Sequence, residues 1–477
     1  MKKITIIFMM CISTVSAFSQ VSAPLTHREG SGEGLLSLQQ LKDSALRNNI
    51  TMRTARLDVE AAQQQHKEAF TNYFPNVSGT GLWFNANKGM AKTELNLSEQ
   101  ISPELGAALG QMLPAEALAA LGSPISISMM KNGTIGSLMA VQPIFAGGQI
   151  INGNKLAKVG EDVSRLQLQL SENEVMKQTE QYYWQLVSMQ QKMKTVEAVE
   201  ALLQDIGKDV DVAVRAGVAM KNDQLQVQLR QNDIESQKVK LQNGISIVKM
   251  LMAQYCGLRP TTDPSLSKEG SDYSFDIVIP DMGQQDILLP SPYREGQGEG
   301  HLGLLPEYQL LQKQVEATKL QRKMEVGKNL PSLGIGAGYN YHNLMENNHH
   351  FGMVFATVSV PISDWWGGSH AIKRRKIQEQ KAIEQLEDNS QLLKIRMQKA
   401  WNDVQESYQQ LGIARRSIEQ AEENLRLNRN YYKAGTCRMS DLLEAQMLYQ
   451  QSCDKYTDTY ADYQNKLLEY RQSTGGI

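Results

Sequence analysis

Two stretches of this chain contain no proline, residues 144–259 and 362–477, each 116 residues long, although 14 prolines occur overall. Proline inside a helix removes a backbone donor and clashes with the preceding turn, at a cost of ~3 kcal/mol or more. A chain that avoids it over such lengths, and uses Gln, Lys, Glu, Leu, Ala and Met instead, is free to build very long helices. From Gly148 to Ala216 the run would extend roughly 100 Å at ~1.5 Å per residue.

The two stretches also align without a gap. Pro143 matches Pro361, Gly217 matches Gly435, Asp223 matches Asp441 and Gly257 matches Gly475, each pair 218 positions apart. Upstream, Val59-Glu60-Ala61 matches Val315-Glu316-Ala317 and Pro75 matches Pro331, 256 apart. The difference is an insertion of 38 residues in the first copy, between Pro75 and Pro143. We read an internal tandem duplication. The first repeat covers 20–257, a Pro/Gly/Asp-rich connector 258–302, and the second repeat 303–477. Each repeat runs helix, strand pair, helical hairpin, with the hairpins at 148–257 and 366–475.

Between the prolines of the second repeat, "SLGIGAGYNYH" sets Leu333, Ile335, Ala337, Tyr339 and Tyr341 against Gly334, Gly336, Gly338 and Asn340. Period-two alternation of this kind marks a strand with one apolar face. Strands are expected at 332–342 and 351–361, joined by a polar turn that includes His349 and His350. In the first repeat they are expected at about 77–85 and 133–145, with a long loop at 87–132. Within that loop, "PELGAALGQMLPAEALAALG" has the pattern of short amphipathic helices. No run after residue 20 reaches the ~20 apolar residues that a membrane helix needs. Any bilayer segment must therefore be made of strands, whose alternation escapes a hydropathy scan. Four strands cannot close a barrel, and an open edge in lipid leaves backbone groups unpaired at several kcal/mol each. Several chains must pool their strands. The fold class is thus mainly α with membrane β.

In 438–474, Leu442, Tyr449, Tyr456, Tyr463 and Tyr470 recur every seven residues, with Cys453, Tyr460 and Leu467 forming a second seam. Such spacing belongs to helices packed lengthwise, and helix packing explains the tyrosine stripe better than a ligand does. At the other end, "MKKITIIFMMCISTVSAFSQ" has the basic start, apolar stretch and small residues of an export signal, cleaved after Ser19 (residues 1–19). Phe8, Met9 and Met10 before Cys11 are too large for a lipoprotein signal, so no lipid anchor is expected. The charge balance, 49 basic against 51 acidic side chains, excludes the concentrated basic face of a nucleic-acid binder. Cys256, Cys437 and Cys453 are too few and too scattered for a disulfide framework.

The duplicated layout, the prolines flanking each strand pair and the paired Gly…Asp breaks resemble the TolC-like outer-membrane efflux proteins over about residues 38–475. The resemblance implies a homotrimer with a 12-stranded barrel in outer-membrane lipid, continued by a helical tunnel across the periplasm. It further implies an exit channel for an inner-membrane pump, reached through a periplasmic adaptor protein. Gly217 and Gly435 fall where each hairpin must turn, and glycine supplies the backbone freedom for that turn. The resemblance makes these turns the periplasmic tip, where the tube closes and the adaptor docks. Asp223 and Asp441 follow near the starts of the returning helices, where carboxylates complement the helix dipole. That local role is the competing explanation for both. Asp441 and Glu444 share a helix face, and threefold repetition would stack them into acidic rings able to bind cations. The resemblance also implies hydrogen bonds between hairpins at the closed tip, with Asp223 and Tyr432 at the matching positions and Asn222 where threonine is common. The family's tip arginine falls on Cys437, and Arg438 stands beside it.

Other readings carry less. "GIGAGYN" lacks the spacing and following helix of a dinucleotide loop. His342, His349 and His350 fit a solvated turn better than a metal site. No nucleophile–base pair suggests an enzyme, and no cofactor is expected. An exported coiled-coil scaffold is the rival class; it accounts for the helices but not for the glycine-alternating strands.

Overall fold

The computed structural model describes residues 35–87, 91–95, 125–129, 132–258, 275–280, 302–344, 347–362 and 364–475. The expected export signal, the 103–122 segment and most of the connector lie outside the described residues. Helices α1 (Leu38–Asn48) and α2 (Ile50–Thr71) come first, then β1 (Asn76–Asn85), β2 (Ala91–Leu95), β3 (Ile125–Met129) and β4 (Asn132–Ala146). The first long hairpin follows as α3 (Gln149–Arg215) and α4 (Lys221–Cys256). Next come α5 (Pro306–Lys328), β5 (Ser332–Leu344), β6 (Asn347–Ser359) and the second hairpin, α6 (Asp364–Lys433) and α7 (Met439–Ser473). Arg215 and Lys433 end their helices 218 positions apart, and Lys221 and Met439 begin theirs at the same separation.

At 67 and 70 residues, α3 and α6 extend about 100 Å each. Their stability comes from packing along their length rather than from propensity. One core lies midway. Leu41 and Ala45 of α1, Leu186 and Val187 of α3, Met252 of α4, Val404 of α6 and Tyr460 and Tyr463 of α7 are buried there. The tyrosine seam of α7 meets α6 with matching spacing: Tyr470 packs on Trp401 at 5.3 Å and Tyr463 on Tyr408 at 6.1 Å between ring centroids. A second core nearer the hairpin turns gathers Val199, Leu203 and Val210 with Val227, Ile234, Met439 and Leu442. Each fully buried Leu, Val or Ile there contributes roughly 1.5–3 kcal/mol.

Beside the midway core, Leu36 forms a parallel bridge with Ile277, and Tyr183 donates its hydroxyl to Val278 O at 2.5 Å. Asn49, between α1 and α2, accepts from Thr51 N at 2.8 Å and donates to Tyr255 O at 3.0 Å. One side chain thus caps α2 and holds it to α4.

The sheet at the other end is antiparallel, in the order β1-β4-β5-β6. Its register puts Val77, Trp83, Leu138, Ile335, Tyr339, Val354 and Val358 on one face, and all seven are exposed. The opposite face carries Gly334, Gly336, Gly338, Asn340 and Thr80, together with exposed Leu82, Phe351 and Met353. β1 and β6 are its edges. Where β4 runs into α3, Gly147 (φ +58°) lies against the end of α5: a Cβ there would stand 2.1 Å from Gly327 O.

Two expectations need correction. His349 and His350 lie in β6, not in a turn, because the cross-strand register runs on to Leu344↔Asn347 and leaves only two residues between the strands. The 87–132 loop also contains regular structure: β2 pairs with β3 from Ala91↔Met129 to Leu95↔Ile125. The alternating "ISISM" has the period of a strand.

Candidate functional site

Both hairpins turn by the same local device. Gly217 (φ +76°) and Gly435 (φ +73°) adopt the left-handed conformation. Gly217 N donates to Val214 O at 3.1 Å and Val218 N to Ala213 O at 3.0 Å; Gly435 N donates to Tyr432 O at 2.9 Å and Thr436 N to Tyr431 O at 3.0 Å. This is the Schellman closure of a helix end, which satisfies carbonyls the helix leaves open. Six residues after each glycine an aspartate opens the next helix. Asp223 Oδ2 accepts from Met220 N at 3.1 Å, and Asp441 Oδ2 from Arg438 N at 3.4 Å. Each aspartate thus caps its own helix.

The two turns lie side by side and enclose an open cleft of about 930 Å³. Asp209 of α3 and Asn222 and Asp223 of α4 line it, with Arg429 and Tyr432 of α6 and Arg438 across from them. The cleft therefore has carboxylates from the first hairpin and guanidinium groups from the second. Burial, then the nearby carboxylates of Asp223 and Asp209, raise the pKa of the Tyr432 hydroxyl above its ordinary value.

Five of the eight residues singled out from the sequence, Asn222, Asp223, Tyr432, Gly435 and Arg438, line this cleft; Gly217, Asp441 and Glu444 do not. Asp441 and Glu444 are exposed at the start of α7. Asp223 and Tyr432 are neighbours through charge, and among the described residues no hydrogen bond joins them. Cys437 also lines the cleft. Burial and then Asp441 push its thiol pKa up, so it is a neutral thiol at pH 7. Cys256, Cys437 and Cys453 are free.

Two features escaped the sequence. Asp209 and Arg429 face the cleft, and no local pattern distinguishes them from other helix charges. The second is a polar tie between the hairpins, nearer the middle of the helices. Arg230 of α4 donates from Nε to Gln446 Oε1 at 3.0 Å and from Nη2 to Gln450 Oε1 at 2.9 Å, and Gln450 Nε2 donates to Gln237 Oε1 at 2.7 Å. Burial pulls the Arg230 guanidinium below its usual pKa, and Asp233 partly offsets this. A sequence signal did exist. Gln446 is seven residues before Cys453, an amide in the seam that continues through Tyr460 and Leu467. Polar groups at such positions specify register.

Residues 306–476 match the family model for outer membrane efflux proteins. Comparison with curated proteins returns no match. Solved structures share the fold. The outer membrane protein VceC of Vibrio cholerae is 15% identical with a TM-score of 0.70, over 92% of this chain and 96% of that one. The CmeC outer membrane channel of Campylobacter jejuni is 14% identical with a TM-score of 0.71, over 92% and 85%. The MtrE outer membrane channel of Neisseria gonorrhoeae, solved in an open state, is 14% identical with a TM-score of 0.68, over 92% and 89%.

Proposed function

We propose, from the match of residues 306–476 to the outer membrane efflux protein model and from the fold shared with solved outer-membrane channels, that this chain is a TolC-like outer-membrane exit channel of a tripartite efflux or secretion system. Three chains pool their sheets into a 12-stranded barrel, the tandem repeats give each chain internal pseudo-symmetry around the pore, and the long hairpins form a tunnel through the periplasm. A periplasmic adaptor and an inner-membrane pump deliver the cargo, and the pump selects it.

The observation that carries this reading is the four-stranded sheet, whose edge strands have no further partner among the described residues and one face of which exposes Val77, Trp83, Leu138, Ile335, Tyr339, Val354 and Val358. In water such a sheet would aggregate through its edges. In lipid its backbone is satisfied only if neighbours complete the wall. Strands of 13 residues in β5 and β6 exceed the ~9–11 needed to cross a bilayer.

We place the gate at the hairpin turns. Asp209 and Asp223 on one hairpin and Arg429, Tyr432 and Arg438 on the other hold the tip closed, with Arg438 supplying the cation that Cys437 lacks. Asp441 and Glu444, exposed at the same end, form the acidic rings. Single-channel recording in planar bilayers tests this with Asp441→Asn plus Glu444→Gln, which removes charge while keeping an acceptor for the helix cap. The wild type should open as a pore of low resting conductance that divalent cations block, and the double variant should lose that block. Absence of any pore would refute the channel; unchanged block would refute the rings.

A further inference from the structure

The β5–β6 register sets His342 directly opposite His349, on the face that carries Gly334, Gly336, Gly338 and Asn340. Their imidazole rings lie 5.4 Å apart between centroids, tilted by 31°, and Phe351 flanks His342 edge-on at 6.4 Å. His342 is partly buried, and its Nδ1 is shut off from solvent with no hydrogen-bond partner among the described residues. A buried polar nitrogen left unpaired is costly and calls for a compensating group.

We propose that His342 and His349 form a binding site for a divalent transition-metal cation of the imidazole-preferring class, such as Cu²⁺, Ni²⁺ or Zn²⁺. With metal–nitrogen bonds of about 2.0–2.1 Å and a ring centroid about 1.1 Å behind each nitrogen, two imidazoles on one tetrahedral ion have centroids roughly 5 Å apart. The observed separation is close to that. The two strands hold both rings on one face before any ion arrives, so chelation costs little ordering. Hard cations such as Mg²⁺ and Ca²⁺ prefer oxygen and are excluded by the donor set. No group of three or more His, Cys, Asp or Glu side chains gathers among the described residues, so water completes the coordination and the ion stays exchangeable. His350, paired with Tyr341, lies on the opposite face and is not a ligand.

The site itself needs only the hairpin. Its location rests on the channel reading: in a closed barrel this face lines the lumen, and three such pairs ring one mouth. The test is titration of purified full-length protein in detergent with Cu²⁺ alone, followed by electron paramagnetic resonance and calorimetry. One ion per chain is expected, with hyperfine structure from two nitrogens. His342→Gln and His349→Gln should each weaken binding by about tenfold or more, because one donor remains where two acted together. His350→Gln should leave affinity unchanged. Absence of binding, a one-nitrogen spectrum, or equal loss in all three variants overturns the proposal. Because the Cu²⁺ titration does not depend on conductance, a failed pore would leave its result intact; if the pore forms, Zn²⁺ added on the barrel side should block wild type and spare His342→Gln.

Discussion

At the scale of single residues, glycines with the same backbone sign do different work. Gly435 turns a hairpin where an added Cβ meets nothing within 4 Å among the described residues. Gly435→Ala therefore carries only the left-handed backbone penalty, about 1 kcal/mol. Gly147 combines φ +58° with a Cβ that would stand 2.1 Å from Gly327 O. Gly147→Ala should cost well beyond the ~1–3 kcal/mol of backbone strain, because the α5 backbone must retreat. Thermal unfolding in detergent should show a small drop for Gly435→Ala and a large one for Gly147→Ala; equal drops would contradict the close approach. The sequence marks Gly435 by its distance from Asp441, a local relation. Nothing near Gly147 announces Gly327, because that contact exists only once strand and helix have docked.

Among elements, α2 and α3 are joined by a buried carboxylate. Glu161 accepts from Arg165 at 2.7 Å and meets His66 Nδ1 at 2.9 Å and Lys158 at 3.3 Å. Arg165 first, then His66 and Lys158, hold its pKa down at about 2 against burial, which raises it. The fold thus favours the ionised form. That stabilisation is complete above the unfolded carboxylate value of 4.5 and is lost as pH falls from there toward 2. Unfolding temperatures of wild type and Glu161→Gln should differ most near pH 6 and converge on acidification below 4.5; a constant gap would deny the linkage. Element types were legible where a period was strong: the 3.5-residue seam of α7 and the two-residue alternation of β5. The start of β6 was not, because "NNHH" has turn-like composition, and only pairing with the end of β5 makes it a strand.

For the whole molecule, the decisive property is the two-sided character of the sheet. Val354 is 87% exposed on the apolar face. Val354→Arg should cost about 2–4 kcal/mol if that face meets the lipid midplane, and should abolish the membrane-inserted trimer seen as a heat-sensitive band in gel electrophoresis. Thr80→Lys, on the opposite face of β1, should preserve it. If both variants assemble equally, the apolar face is not the lipid face. The cleft at the tip belongs to this scale too. Asp223 and Tyr432 could be singled out by matching each to a known layout, but Asp209 and Arg429 face the same space only because two hairpins bring their turns together.

What the sequence determined alone is whatever repeats along the chain at a fixed interval: helix length from absent proline, strands from alternation, turns from the Gly…Asp spacing. These are short-range effects of backbone sterics and side-chain period, complete within a few residues. The tertiary structure decided which separated groups meet: Gly147 with Gly327, Arg230 with Gln446, His342 with His349. Such meetings depend on the phase and register with which long elements pack, and small shifts along a strand or around a helix would place different side chains in contact.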